Sequence, residues 1–272
     1  MQSNSQKETA KNRSMKLKFD KYQGAGNDFV IVNNIDSKCS LTCEQIAWLC
    51  DRRYGIGADG LIILEKSEDA DFTMKFYNSD GKTASMCGNG GRCIAKYAFD
   101  HGIAGKDMKF MADDGIHEAI IIDDENVKIK MIDVVGIKVF DDGMWANTGV
   151  PHFVKFVDDI DKVDIVAEGR KQADDKRFAP ERTNVNFTDN ADGLRLRTYE
   201  RGVEGETLAC GTGTVATALC INRKNGIISP IILKAKGGIL KVYFENKDNG
   251  YKNIWLEGPA KKVFEGETNG NE

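Results

Sequence analysis

Ser85-Met-Cys-Gly-Asn-Gly-Gly-Arg92 and Leu208-Ala-Cys-Gly-Thr-Gly-Thr-Val215 are the two stretches whose comparison decides the fold. In each, a cysteine is followed by Gly-x-Gly and then by a segment of helical pattern. Phe-Tyr77 precedes the first cysteine and Thr-Tyr199 the second. Gly102-Ile103 closes the first helical segment, and Gly226-Ile227 the second. Further upstream, Gly26-Asn-Asp-Phe-Val30 answers to Gly149-Val-Pro-His-Phe-Val154. Four coincidences at one nearly constant offset indicate a duplicated unit of roughly 120 residues.

Each unit opens with strand-like segments, apolar or alternating and bounded by Gly, Asp or Asn. In the first they are Met15–Phe19, Phe29–Asn33, Leu61–Glu65, Phe72–Tyr77, Lys109–Met111, Glu118–Ile122 and Val127–Met131. In the second they are Phe153–Val157, Thr183–Thr188, Leu194–Tyr199, Ile231–Ala235 and Ile239–Phe244. Helices are fewer: Thr42–Arg52, Gly90–His101 and Gly213–Lys224. The last is almost wholly apolar, as a helix buried on all sides would be. The expectation is an α+β (α/β) protein of two pseudo-symmetric, strand-rich domains. Each wraps around a central helix, and the active site lies in the cleft between them. The domains are expected at 15–132 and 133–259.

Residues 1–14 are polar and lack the apolar core of a signal peptide, which reads as a disordered leader or tag. A cytoplasmic location follows as the default. The formal net charge of -4 comes from interspersed signs, so no basic surface for nucleic acid is expected. No apolar run reaches the length of a membrane helix. Seven cysteines, an odd number in a long chain, argue against a disulfide framework. Cys39 and Cys43 have no companion at metal-site spacing, so no metal is expected.

Two of the seven cysteines stand just before glycine-flanked helix starts. Unpaired N–H groups there carry positive partial charge. They should stabilise a thiolate and lower the thiol pKa from about 8.5 towards 7 or below. The glycines let a carboxylate approach the backbone donors. With the units face to face, Cys87 and Cys210 would flank one tetrahedral carbon. One thiolate would remove a proton and the opposing thiol deliver one to the other face. No cofactor is required if the helix starts stabilise the carbanion. Other readings stay open at this point. Gly-x-Gly before a helix can cradle phosphate, although the Walker and dinucleotide patterns are missing. A cysteine peptidase would pair one cysteine with a histidine, and His152 has the only motif-like setting. A dithiol redox protein would cycle the two cysteines as a disulfide.

From about Met15 onward the chain resembles the diaminopimelate epimerases. The matching blocks are Tyr22-Gln-Gly-Ala-Gly-Asn-Asp-Phe29, Arg53-Tyr-Gly-Ile-Gly-Ala-Asp59, Tyr77-Asn-Ser-Asp-Gly81, Met86-Cys-Gly-Asn-Gly-Gly-Arg92, Pro151-His152 and Pro180-Glu-Arg-Thr-Asn-Val-Asn186. Tyr199-Glu-Arg-Gly202 and Glu206-Thr-Leu-Ala-Cys-Gly-Thr-Gly213 complete the set. Either cysteine motif alone is shared with proline racemases and phenazine-biosynthesis isomerase-like proteins. The resemblance implies interconversion of LL- and meso-diaminopimelate without a cofactor, in lysine and cell-wall precursor synthesis. It implies a small-molecule substrate, a homodimer as in many members, and a C-terminal stretch, about 260–272, that returns to the first domain. By motif it makes Cys87 and Cys210 the acid–base pair. Gly88, Asn89, Gly211 and Thr212 become helix-start donors to the reacting carboxylate. Asn27, Asn78 and Asn184 become substrate ligands, and Arg201 the grip on the distal carboxylate. Glu200 would meet an ammonium or orient a thiol, and His152 would support one cysteine. Val150 stands where many members have Asn, and Gly60 where some have Gln. Both departures bear on substrate preference, and a racemase of another amino acid is the alternative on the same fold.

Overall fold

The computed structural model describes residues 16–84, 86–247 and 250–269. The expected leader, 1–14, lies outside these residues. The first half holds β1 (Lys16–Gly24), β2 (Asn27–Asn33), α1 (Cys43–Cys50), β3 (Gly60–Glu65), β4 (Phe72–Asn78), α2 (Gly88–Asp100), β5 (Asp107–Ala112), β6 (Gly115–Ile121) and β7 (Asn126–Lys130). Two short strands follow, β8 (Val134–Val135) and β9 (Lys138–Phe140). The second half holds β10 (Gly143–Asn147), β11 (Pro151–Phe156), α3 (Ile165–Ala173), β12 (Asn184–Asp189), β13 (Arg195–Glu200), β14 (Gly205–Thr207), α4 (Gly211–Asn225), β15 (Ile231–Ala235), β16 (Gly238–Lys247), β17 (Gly250–Pro259) and β18 (Lys261–Asn269). The architecture is mixed α+β, rich in strands, as the sequence indicates.

The duplication is visible in the ladders. Strands β2 and β3 pair in parallel, and so do β11 and β12. The next pairings, β3 with β4 and β12 with β13, are antiparallel. Parallel pairing returns between β4 and β5, and between β13 and β15. Antiparallel pairs complete each half: β5, β6 and β7 in one, β15, β16 and β17 in the other. The halves join where β17 pairs with β7, from Trp255↔Lys130 to Pro259↔Asn126. Each joining strand then runs on into the opposite half. Beyond β17, β18 pairs with β1. Beyond β7, β8 pairs with β17 and β9 with β10. Each ring of strands is thus closed by a piece of chain from the other half.

A helix fills each ring. Within the first, α2 touches β1, β2, β3, β6, β7, β17 and β18; α4 touches β10 to β13 and β15 to β17 in the second. Both are buried along most of their length, in one continuous apolar core that includes Ile94, Ala98, Val215, Ala218, Leu219 and Leu256. Smaller clusters cover the outer faces. Helix α1 lays Ile46, Leu49 and Cys50 against Val30, Leu61 and Ile63. Helix α3, which the sequence pattern did not indicate, packs on β12 and β13 with Ile165 and Ala173 among Phe153, Val185 and Tyr199. Among the described residues no helix is long and apolar enough to cross a membrane.

The central helices begin two residues earlier than their hydrophobic pattern suggests, at Gly88 and Gly211. Cys87 and Cys210 are therefore the N-cap residues themselves, both with extended backbone. The two helix starts abut. A Cβ built on Gly88 would lie 3.9 Å from the Gly211 Cα, and one on Gly211 would lie 3.7 Å from the Gly88 Cα. Leu256 of β17, fully buried, sits beneath both, with Cδ2 only 3.0 Å from the position of a Gly211 Cβ. A Leu256→Ala protein should lose about 2–5 kcal/mol of stability, the range for emptying a fully packed leucine site. Urea denaturation followed by circular dichroism measures this, and a loss under about 1 kcal/mol would show the seam to be loosely packed.

Candidate active site

The cavity beside the abutting helix starts has a volume of about 950 Å³ and is lined from both halves. Asn27, Asp59, Asn78 and Cys87 come from the first, Glu200, Arg201 and Ala209 from the second. Of the residues expected at the site, Asn27, Asn78, Cys87, Glu200 and Arg201 line this space. Asn89, Asn184, His152, Gly88, Gly211, Thr212 and Cys210 are not among its lining residues. Cys210 is nevertheless close to it, since its thiol bonds the Glu200 carboxylate and Ala209 is its neighbour in the chain.

The first thiol is held from two sides. Its Sγ accepts a hydrogen bond from the Gly90 N–H at 3.2 Å, and the Asn27 Oδ1 lies 3.8 Å away. Asn27 is fixed by its own partners. Its Nδ2 donates to Asp59 at 2.6 Å, and the Asn89 Nδ2 donates to its Oδ1 at 3.3 Å. Asp59 is gripped in turn by Arg52, at 2.7 Å, which also pairs with Asp28. Asp28 receives Lys21 as well, at 2.8 Å. Burial alone would raise the Asp28 pKa, but Arg52 and Lys21 hold it well below the carboxylate range.

Around the second thiol a fixed chain of hydrogen bonds runs inward. The Cys210 Sγ is 3.5 Å from the Thr212 Oγ1, which is 2.9 Å from the His152 Nε2. The His152 Nδ1 is 3.0 Å from the Asn186 Nδ2. That amide nitrogen also donates to the Phe153 carbonyl, and the Asn186 Oδ1 accepts from Thr198 at 2.9 Å. An amide so bound presents a donor to Nδ1, so the proton of the neutral imidazole resides on Nε2. His152 therefore donates to Thr212, which leaves the Thr212 hydroxyl proton free to point at sulfur. The imidazole is fully buried, and burial followed by the charge of Arg201 lowers its pKa to about 3. Gly213 permits this closeness: a Cβ there would fall 2.4 Å from the Asn186 Oδ1.

One expectation is corrected. The helix starts were expected to lower both thiol pKa values, and both are raised. For Cys87 burial is the largest cause; the Gly90 N–H and Arg92 act against it and do not cancel it. For Cys210 burial and the nearby Glu200 carboxylate outweigh the Thr212 hydroxyl and the Gly213 N–H. Desolvating a whole thiolate costs more than partial charges at a helix end return. Glu200 is itself raised by burial, opposed by bonds from Thr207, at 2.5 Å, and Cys210.

Other expected ligands are engaged internally. The Asn184 Oδ1 accepts from the Arg201 N–H at 3.0 Å, and the Arg201 Nη1 donates to the Glu181 carbonyl. Asp59, Arg92, Asn186 and Thr198 were not singled out in the sequence. Asp59, Arg92 and Asn186 close three of its quoted blocks, whereas the partnership of Asn186 with Thr198 comes from pairing between strands that no local motif announces.

A profile of the diaminopimelate epimerase family matches residues 19–136 and 144–263. Similar curated proteins include the diaminopimelate epimerases of Flavobacterium psychrophilum, 41% identical over 92% of this chain and 99% of that protein, and of Chlorobaculum tepidum, 43% identical over 89% and 98%. Among solved structures, a Bacillus anthracis phenazine biosynthesis protein of the PhzF family superposes with a TM-score of 0.74 at 15% identity, covering 93% of this chain and 99% of that one. A probable proline racemase from Agrobacterium radiobacter gives 0.65 at 16%, covering 93% and 92%. At such identities these two show a shared fold.

Two outcomes are expected. Thr212→Val should raise the pH midpoint of Cys210 alkylation by about one unit, since a hydrogen bond to a charged group contributes about 1.5–3 kcal/mol. An unmoved midpoint would show that the hydroxyl does not face the sulfur. His152, neutral when folded, must be charged to unfold below its ordinary pKa of 6.5. Stability should therefore fall between about pH 6.5 and 3, by at most about 1.4 kcal/mol per pH unit from this group. Chemical denaturation of the wild type against His152→Gln isolates that contribution.

Proposed function

The chain belongs to the diaminopimelate epimerase family, and from that premise we propose that it interconverts LL- and meso-2,6-diaminopimelate with Cys87 and Cys210 as the two bases. It is an isomerase of lysine and peptidoglycan precursor synthesis. The observation that carries the mechanism is the contact of two cysteine-capped helix starts at the edge of one cavity.

In this reading the reacting α-carboxylate lies against the N–H groups that follow Gly88 and Gly211. The dipoles of both helices then meet the charge that develops as the α-proton leaves. One cysteine, as thiolate, takes the proton from one face. The other, as thiol, delivers its own proton to the opposite face. After one turnover the thiolate has changed sides, so each form of the enzyme accepts one isomer. Asn27 and Asn78 bind the polar groups around the reacting carbon. Asn184 holds the Arg201 backbone while the Arg201 guanidinium takes the distal carboxylate. Glu200 orients the Cys210 thiol, and the ordered Asn186–His152–Thr212 chain donates to the same sulfur when it is ionised.

The catalytic state has one thiolate and one thiol. The pH profile of kcat/KM is therefore expected to be bell-shaped, with both limbs belonging to the coupled pair. Incubation with LL-diaminopimelate in deuterated water under reducing conditions should give meso product labelled at the α-carbon. Cys87→Ser and Cys210→Ser should each lower the rate by about 10²-fold or more. Wild-type protein that exchanges no deuterium would refute the reaction, and a normal rate in either variant would refute the two-base mechanism. Val150, where many members carry Asn, favours a second substrate reading, racemisation of another amino acid on the same site. The same assay run on a panel of L-amino acids decides between them. A cytoplasmic homodimer is proposed on the same family grounds, and sedimentation of the purified protein checks the assembly.

A further inference from the structure

Arg92 is the most deeply placed cation described here. Its side chain is fully buried, and no carboxylate pairs with it among the described residues. The guanidinia of Arg52, Arg177, Arg182, Arg195 and Arg197 are all more exposed, and each meets an acidic side chain. Arg92 meets only neutral oxygens. Its Nε donates to the Pro259 carbonyl and its Nη1 to the Gly88 carbonyl, both at 3.3 Å, and its Nη2 to the Asn89 Oδ1 at 2.7 Å. The guanidinium sits directly under the seam. A Cβ on Gly88 would lie 4.0 Å from Nη1, and one on Gly258 would lie 3.2 Å from Cζ.

An isolated charge in such a place is strongly disfavoured, and proteins ordinarily pair it or remove it. A guanidinium cannot shed its proton at any accessible pH. The positive charge therefore persists unneutralised, bonded to the carbonyl of the residue that follows Cys87 and beneath two helix ends of the same sign. Packing alone would be served as well by a neutral side chain. The missing anion is supplied by the reaction: a thiolate at Cys87, and a carboxylate above Gly88 and Gly211.

We propose that Arg92 is the fixed counter-charge of this site, holding the Cys87 thiolate and the substrate carboxylate from below, and is a positioning residue for the reaction. Its second task runs through Asn89. By occupying the Asn89 Oδ1, Arg92 turns the Asn89 Nδ2 towards the Asn27 Oδ1 and the Ala209 carbonyl, at 3.3 and 3.1 Å. The group that touches Cys87 and the residue that precedes Cys210 are thereby held in one frame. The titratable groups facing Cys87 are Arg92 and Cys93 on its own helix, Glu200 on β13 and Cys210 at the start of α4. Arg92 is the cation of this set, while Arg201 lines the same cavity from the other half; the burial that pushes Cys87 up is opposed by the Gly90 and Asn89 N–H groups and the Arg92 charge.

This inference rests on the reading of Cys87 as a reacting thiol, and its test does not require turnover. Alkylation of Cys87 by iodoacetamide, followed by peptide mass spectrometry across pH, gives the midpoint of thiolate formation in the full-length protein. Arg92→Gln keeps a donor to Asn89 and removes the charge; Arg92→Met removes both. In either neutral variant with a native near-ultraviolet spectrum, the Cys87 midpoint should rise by about one unit or more, as loss of an adjacent opposite charge requires. Arg92→Lys, which keeps the charge and loses the fork, should hold the midpoint within about half a unit while kcat falls through the loosened Asn89. An unchanged midpoint in a folded neutral variant overturns the proposal. So does a Lys variant whose midpoint rises by a full unit, which remains decisive if neither neutral variant folds. Failure of deuterium exchange with a midpoint that moves would refute the substrate and leave the counter-charge standing.

Discussion

The meeting of Gly88 and Gly211 is the contact on which the rest of the structure turns. Two helices point their positive ends at the same few ångströms of space, and no side chain separates them. Like ends repel, so the arrangement needs restraint from outside. The seam between β7 and β17 supplies it, with Leu256 beneath both glycines and both helices locked in closed rings. In the proposed reaction this is the place where the developing anion is stabilised from two sides, with a thiol on each flank.

The same contact explains why the thiols are poor acids at rest. To bring the helix ends together the protein buries Cys210 and half-buries Cys87, and that loss of hydration outweighs the gain from N–H groups at one helix end. The support around each sulfur differs accordingly. Cys87 has a buried cation and an asparagine held by a chain of ion pairs. Cys210 has a carboxylate on one side and a hydroxyl fed by a neutral histidine on the other. A pseudo-symmetric backbone thus carries asymmetric chemistry, which suits a substrate that differs on its two sides of the reacting carbon.

Much of this was legible in the sequence. The repeated cysteine motif gave the duplication, and the alternating segments gave most strands within a few residues, because strands with one buried face must alternate. Helix α3 escaped because Glu168, Arg170 and Lys171 break up its narrow apolar stripe, and its burial depends on Tyr199. The strands β17 and β18 were missed because polar and apolar residues do not alternate along them: Glu257 is buried while Val263 and Phe264 are exposed. At the site, Asp59, Arg92 and Asn186 stood inside quoted blocks without being singled out, and Thr198 stood just outside one. The role of these last two comes from register between β12 and β13, which pairs Asn186 with Thr198 and cannot be read along one strand. The thiol pKa direction was misjudged for a related reason: a motif announces its dipoles, but not how much water the remainder of the chain will exclude.

The exchange of closing strands between the halves bears on how such a chain arises and is made. Strand β1, near the start, has no partner on its outer edge until β18 arrives from the far end. During synthesis the first ring stays open until β18 has been made, so its apolar lining waits, exposed, for that strand. The equivalent exchange in the second ring uses chain already made. A half-length ancestor could have closed its ring only by borrowing that strand from another copy of itself. The seam between β7 and β17 has the arrangement of an interface between two half-length chains that swap their closing strands, here made within one polypeptide.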